Sequence, residues 1–143
     1  MRLFLLMLTL WTMATNAAWA EDIQPGLWEL SLETSVPATP GFSVPPATVN
    51  QCLTEQDAQD PSGVLGGVAN PGASDCTFSE KSYSGNTLHF RMQCAGMLAM
   101  DTRGDVTYSA TSIAGNLVTS ANVLGEATEL RSQISGRRIG DCR

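Results

Sequence analysis

The 143-residue chain has a single histidine, His89. A serine-type triad would need that imidazole as base beside an activated serine, and the chain has no G-x-S-x-G elbow. His89 alternates with Arg91 and Gln93 on the polar side of its segment, so it reads as a solvent-exposed side chain. Basic residues are also few: eight against fourteen acids, a net charge of −6. That balance argues against nucleic acid and anionic membrane surfaces as partners, since both repel an acidic body. Close cysteine pairs are missing; neighbouring cysteines lie at least 18 positions apart, which disfavours a four-cysteine zinc site. With one histidine, a catalytic zinc site is disfavoured too, and no metal or cofactor is expected. Asp101–Asp105 lacks the ligand periodicity of a calcium loop and reads as a charged turn between strands. Gly63 to Gly72 has no following lysine and is not a phosphate cradle. Carboxylates are plentiful, but no spacing selects two as an acid/base pair. The expectation is a protein that is not an enzyme.

Long apolar runs are absent except at the start. Residues 1–20, MRLFLLMLTLWTMATNAAWA, place Arg2 before an apolar run from Leu3 to Trp11 and end on Ala18-Trp19-Ala20. That is the layout of a secretory signal peptide, with an apolar run about half the roughly 20 residues a membrane span requires. Cleavage after Ala20 would leave residues 21–143 as one domain, with no transmembrane anchor and no lipid-modified terminus. Losing Arg2 leaves seven basic side chains against fourteen acidic ones.

Four cysteines remain, an even count that reads as two disulfides in an exported chain. Within CTFSEKSYSGNTLHFRMQC, Ser84-Gly85-Asn86 is a turn signal, and Leu88, Phe90 and Met92 alternate with polar residues. Folding a hairpin about Gly85 brings Cys76 opposite Cys94 and leaves Cys52 to pair with Cys142. A first strand follows Gly26, with Trp28, Leu30 and Leu32 on its apolar side. The prolines from Pro37 to Pro46 make a loop, and Val49 to Leu53 a second strand. Thr54 is a helix N-cap with Asp57 at the matching third position, and Pro61 limits that helix to about two turns. Ser62 to Ser74 reads as a glycine-rich loop. Further strands are expected over Met97–Thr102, Asp105–Ser112, Leu117–Leu124 and Ala127–Ser135, with a turn at Ile113–Asn116. The fold class is therefore mainly β: an antiparallel meander curved into an open barrel-like sheet, with one short helix and two disulfides.

Trp28, Phe90, Met92, Met97 and Met100 are candidates either for the core or for the lining of an apolar ligand site. Arg137 and Arg138 in the terminal SGRRIGDC could clamp an anion or pair with the excess acids.

PGLWE at Pro25–Glu29, CLT at Cys52–Thr54 and the terminal GRRIGDC occur in one order along the chain. That ordered set resembles a family of small exported bacterial proteins known only as a domain of unknown function. The resemblance implies a periplasmic or secreted location and a compact disulfide-bonded β domain, and it carries no activity. The leading expectation is non-enzymatic binding of a small apolar or amphipathic ligand in the concavity of the sheet. The alternative is a protein-interaction module, an inhibitor or envelope assembly partner, that uses a free strand edge.

Overall fold

The computed structural model describes residues 22–69, 75–96 and 99–143. The expected leader, Met97 and the end of the glycine-rich stretch lie outside these residues. Seven strands form one antiparallel sheet: β1 (Gly26–Ser35), β2 (Ala47–Leu53), β3 (Cys76–Ser84), β4 (Thr87–Cys94), β5 (Met100–Tyr108), β6 (Ser112–Val123) and β7 (Glu126–Gly140). Their order is β2-β1-β7-β6-β5-β4-β3, so β3 to β7 form a meander that β1 and β2 extend. The sheet is open, with β2 and β3 at opposite edges. Two short helices, α1 (Glu55–Gln59) and α2 (Ser62–Ala69), carry the chain from one edge to the other.

Residues opposite each other on adjacent strands point to the same face, so the register sorts the side chains. One face carries Trp28, Leu30, Leu88, Phe90, Val106, Ile113, Leu117 and Ile134, all buried. Leu65 and Ala69 of α2 join the same core cluster. The other face is mostly polar. The resulting alternation, buried at every second position of β4, is what a sheet with one wet face requires.

Both disulfides form, Cys76–Cys94 across the β3–β4 hairpin and Cys52–Cys142 across 90 positions. The capping box at Thr54 also forms: the Asp57 N–H donates to Thr54 Oγ1 at 3.2 Å, and Thr54 N–H donates to Asp57 Oδ2 at 2.9 Å.

Four expected boundaries differ. Asp101–Asp105 is not a turn but the middle of β5, because its charges occupy alternate positions and only one face takes them. Between them, Thr102 and Gly104 face the core, and a Cβ at Gly104 would press on Phe90 Cε1 at 3.1 Å. Ile113–Asn116 lies inside β6; the chain turns earlier, where Ser109 N–H donates to the Ser112 carbonyl at 2.8 Å. The last strand runs on through the arginines to Gly140 instead of stopping at Ser135. Finally, the stretch after Pro61 is a second helix, where the sequence had suggested a loop and only one helix. Pro61 opens it, its carbonyl accepting from Leu65 N–H at 3.0 Å, which suits proline's fixed φ. Glycine disfavours a helix by about 1 kcal/mol per residue, so tertiary burial of Leu65 and Ala69 must supply the difference. Gly66 lets the helix sit close on the sheet: a Cβ there would push the Met92 methyl aside and press on Phe78 Cζ at 3.2 Å.

Candidate functional site

The two sequence signatures at the chain ends meet at one corner. Trp28 is fully buried, and its indole N–H donates to the Gln24 carbonyl at 3.0 Å. Opposite it in the register lies Arg138, where a bulge separates Leu27↔Gly140 from Trp28↔Arg138. The Arg138 guanidinium crosses Gly26, donates to the Pro25 carbonyl at 2.9 Å, and pairs with Asp141. Gly26 has φ +143°, and a Cβ there would sit 2.6 Å from Arg138 Nε. The positive φ and the Gly140 carbonyl oxygen, 2.5 Å from where a Cβ would sit, make the glycine of PGLWE the residue this corner accepts. Arg137 points to the other face and pairs with Glu29 at 3.0 Å. Of the two roles open to these arginines, anion clamp or pairing with the excess acids, the structure shows the pairing: each has a carboxylate partner, on opposite faces of the sheet. Cys142 then fastens this end to β2.

A second polar cluster fastens the helices to β3. Asp60, between α1 and α2, accepts from Ser62 Oγ and Tyr83 Oη, each at 2.6 Å, and from Lys81 Nζ at 2.9 Å. Those three donors, Ser62 first, hold its carboxyl well below the usual carboxylate range. Burial first and then Asp60 push the Tyr83 phenol up.

With the helices pinned at the β3 side, the opposite side of α2 stands away from the sheet. Its inner residues, Ser62, Leu65, Gly66 and Ala69, are buried, whereas Gly63, Val64, Gly67 and Val68 face a groove of about 490 Å³. The other wall is the apolar face of β1–β2: Leu32, Ala47, Val49 and Gln51, with Asp57 at one end. This is where the sheet's apolar face runs out of cover. Val49, on the same face as buried Leu30, remains 45 % exposed. A Cβ built on Gly63 or Gly67 would meet nothing within 4 Å. The groove is thus walled by valine, leucine and alanine, with a single ionisable group. That group, Asp57, is held in the Thr54 cap, whose backbone and side-chain hydrogen bonds lower its pKa.

Of the residues proposed from sequence to line a ligand site, Trp28, Phe90 and Met92 lie buried in the core cluster, and Met100 is half-buried against it. None of the four lines the groove. The residues that do line it come from β2 and α2, and their one sequence signal was small and apolar residues recurring at Gly63, Val64, Gly67 and Val68, four positions apart. His89 lies exposed on the polar face, its Nδ1 against the Asp105 carboxylate. Among the described residues, no group of three or more His, Cys, Asp or Glu side chains could hold a metal ion. No described helix is long and apolar enough to cross a membrane.

Residues 23–142 match the model of a family described as a protein of unknown function, DUF3617, and the chain belongs to that family. No curated protein and no solved structure matches it.

Proposed function

We propose that this chain is an exported, non-catalytic binding domain that takes a small apolar or amphipathic molecule into the groove between α2 and the β1–β2 ribbon. The observation that carries the reading is the uncovered stretch of an otherwise buried apolar face, at Ala47 and Val49, beneath a helix side without bulk at Gly63 and Gly67. A volume of about 490 Å³ falls within the range of small-molecule sites. Gln51 at the margin supplies the hydrogen-bonding group that an amphipathic ligand would use. Two disulfides and the leader-like residues 1–20 support export.

The test is titration with N-phenyl-1-naphthylamine, a neutral apolar fluorophore, into the protein and into Gly67→Leu. The wild type should give a saturable 1:1 fluorescence rise. Leucine at 67 fills the groove while improving helix propensity, so binding should fall at least tenfold as stability holds or rises by up to about 1 kcal/mol. Saturable binding that Gly67→Leu leaves unchanged, or none at all, would remove this reading.

A second reading is favoured by β2, an edge strand whose first five residues are exposed. A partner could add a strand there. Gly67→Leu separates the two, because it blocks the groove and leaves the β2 edge untouched.

A further inference from the structure

Charge is divided unevenly along this chain. Between Glu21 and Glu80 stand nine acidic side chains and no lysine, arginine or histidine, whereas Lys81 to Arg143 holds seven bases against five acids. β1, β2, α1 and α2 all fall in the first stretch, so both walls of the groove come from elements without a basic residue. On the strands, the register places two bases on the apolar side, Lys81 opposite Phe90 and Arg138 opposite Trp28. Both are occupied: Lys81 Nζ donates to Asp60 at 2.9 Å, and Arg138 crosses to the Pro25 carbonyl and Asp141. Arg91, Arg103, Arg131 and Arg137 stand on the polar face.

The groove itself carries one charge. Thr54 N–H and Oγ1 donate to Asp57 Oδ2 at 2.9 and 2.8 Å, which holds this carboxyl ionised at neutral pH and fixes it at the groove's end. Both bonds fall on Oδ2, so the cap fixes the group without consuming Oδ1. From Asp57 the walls run apolar through Val64, Val68, Val49, Ala47 and Leu32.

We infer that the ligand of this groove is an amphiphile with a cationic head, an alkylamine in its protonated form, its nitrogen against Asp57 and its chain along Val49 and Val68. The inference rests on the groove being a binding site, as proposed above, and adds the sign of the ligand's charge. A slot with a single fixed charge at one end and apolar walls matches a molecule with one opposite charge and one apolar tail. A fatty acid would bring its carboxylate to a groove that offers no base and one like charge. The occupant is a free amine and not a membrane headgroup, because the phosphate that accompanies a lipid amine would meet the same acidic surroundings.

The experiment is an amide NMR titration of the protein at pH 7 with octylamine, 1-octanol and octanoate, one chain carrying a positive, a neutral and a negative head. Octylammonium should shift Asp57 and Gly63–Val68 saturably and bind about tenfold more tightly than octanol, a preference limited by solvent screening of the carboxylate. Octanoate should bind more weakly than octanol. Asp57→Asn keeps an oxygen for the Thr54 cap and should lower octylammonium to octanol's affinity, with octanol binding unchanged as the sign that the groove still stands. Val49→Lys, at an exposed position, should also abolish the preference. Equal affinities for octylammonium and octanol, or tighter octanoate, would overturn the inference and leave the groove reading in place. No saturable shift from any of the three would overturn both. A preference for octylammonium that survives both variants would put the cation elsewhere on the acidic surface and overturn the inference.

Discussion

The two faces of the sheet follow opposite rules, and the apolar one breaks its own in one place. The apolar face is covered by helices wherever α1 and α2 reach, with core residues from Trp28 to Ile134 nearly inaccessible. It breaks the rule at β2, where Val49 continues the apolar row without cover. The polar face is wet, and only some of its side chains pair with one another, Arg91 with Asp101, Thr87 with Thr107 and Ser31 with Thr48 across strands. A buried tryptophan or a paired arginine is accounted for by the fold, whereas an uncovered valine on the apolar face is not. Trp28 and Arg138 stand in the signature motifs yet explain themselves fully as a corner joint.

The difference between the faces can be broken by substitution. Trp28→Ala removes the largest fully buried side chain and should cost about 3–5 kcal/mol in denaturant unfolding. A loss below about 1 kcal/mol would mean that the apolar face is not the core. Asp60→Asn loosens the joint that sets how far α2 stands from β2. It should cost about 1 kcal/mol at pH 7, since the carboxylate is half exposed and its bonds are partly screened. The sign with pH follows from a folded pKa below the ordinary 3.8. The carboxylate's contribution is complete above about pH 4 and is lost as acid protonates it, so the stability gap between wild type and variant should narrow below pH 4. A gap that widens on acidification would mean that the joint is not held by the ionised carboxylate. Arg137→Gln removes an exposed polar-face pair and should change stability by less than about 0.5 kcal/mol. A cost above about 2 kcal/mol there would show that the polar face is as structural as the core.

Much of this fold was legible in the sequence because its signals are local or binary. The alternation in Trp28–Leu32 and Leu88–Met92 fixes which side chains share a face. A turn at Gly85 with a cysteine at each end of its hairpin fixes one disulfide and, by remainder, the other. Thr54 and Asp57 announce their helix by capping chemistry. The glycines misled, because Gly66, Gly104 and Gly115 look like flexibility or turns until a partner is seen pressing on them: Met92 on Gly66, Leu117 and Phe90 on Gly104, and the Asp105 carbonyl on Gly115. Close approach between distant segments leaves no mark in a single stretch. The groove was hidden for the same reason. Its walls, Val49 and Gly67, belong to elements joined only by their placement over one sheet.

The measurement that bears most directly on the central claim is an amide NMR map of the protein titrated with N-phenyl-1-naphthylamine. The account predicts saturable shifts confined to Ala47–Gln51 and Gly63–Val68, with the amides of Asn116 and Gln133 unmoved. Shifts spread over the core strands, or concentrated on the polar face, would contradict it: the uncovered valine would then be an ordinary edge and not the floor of a site.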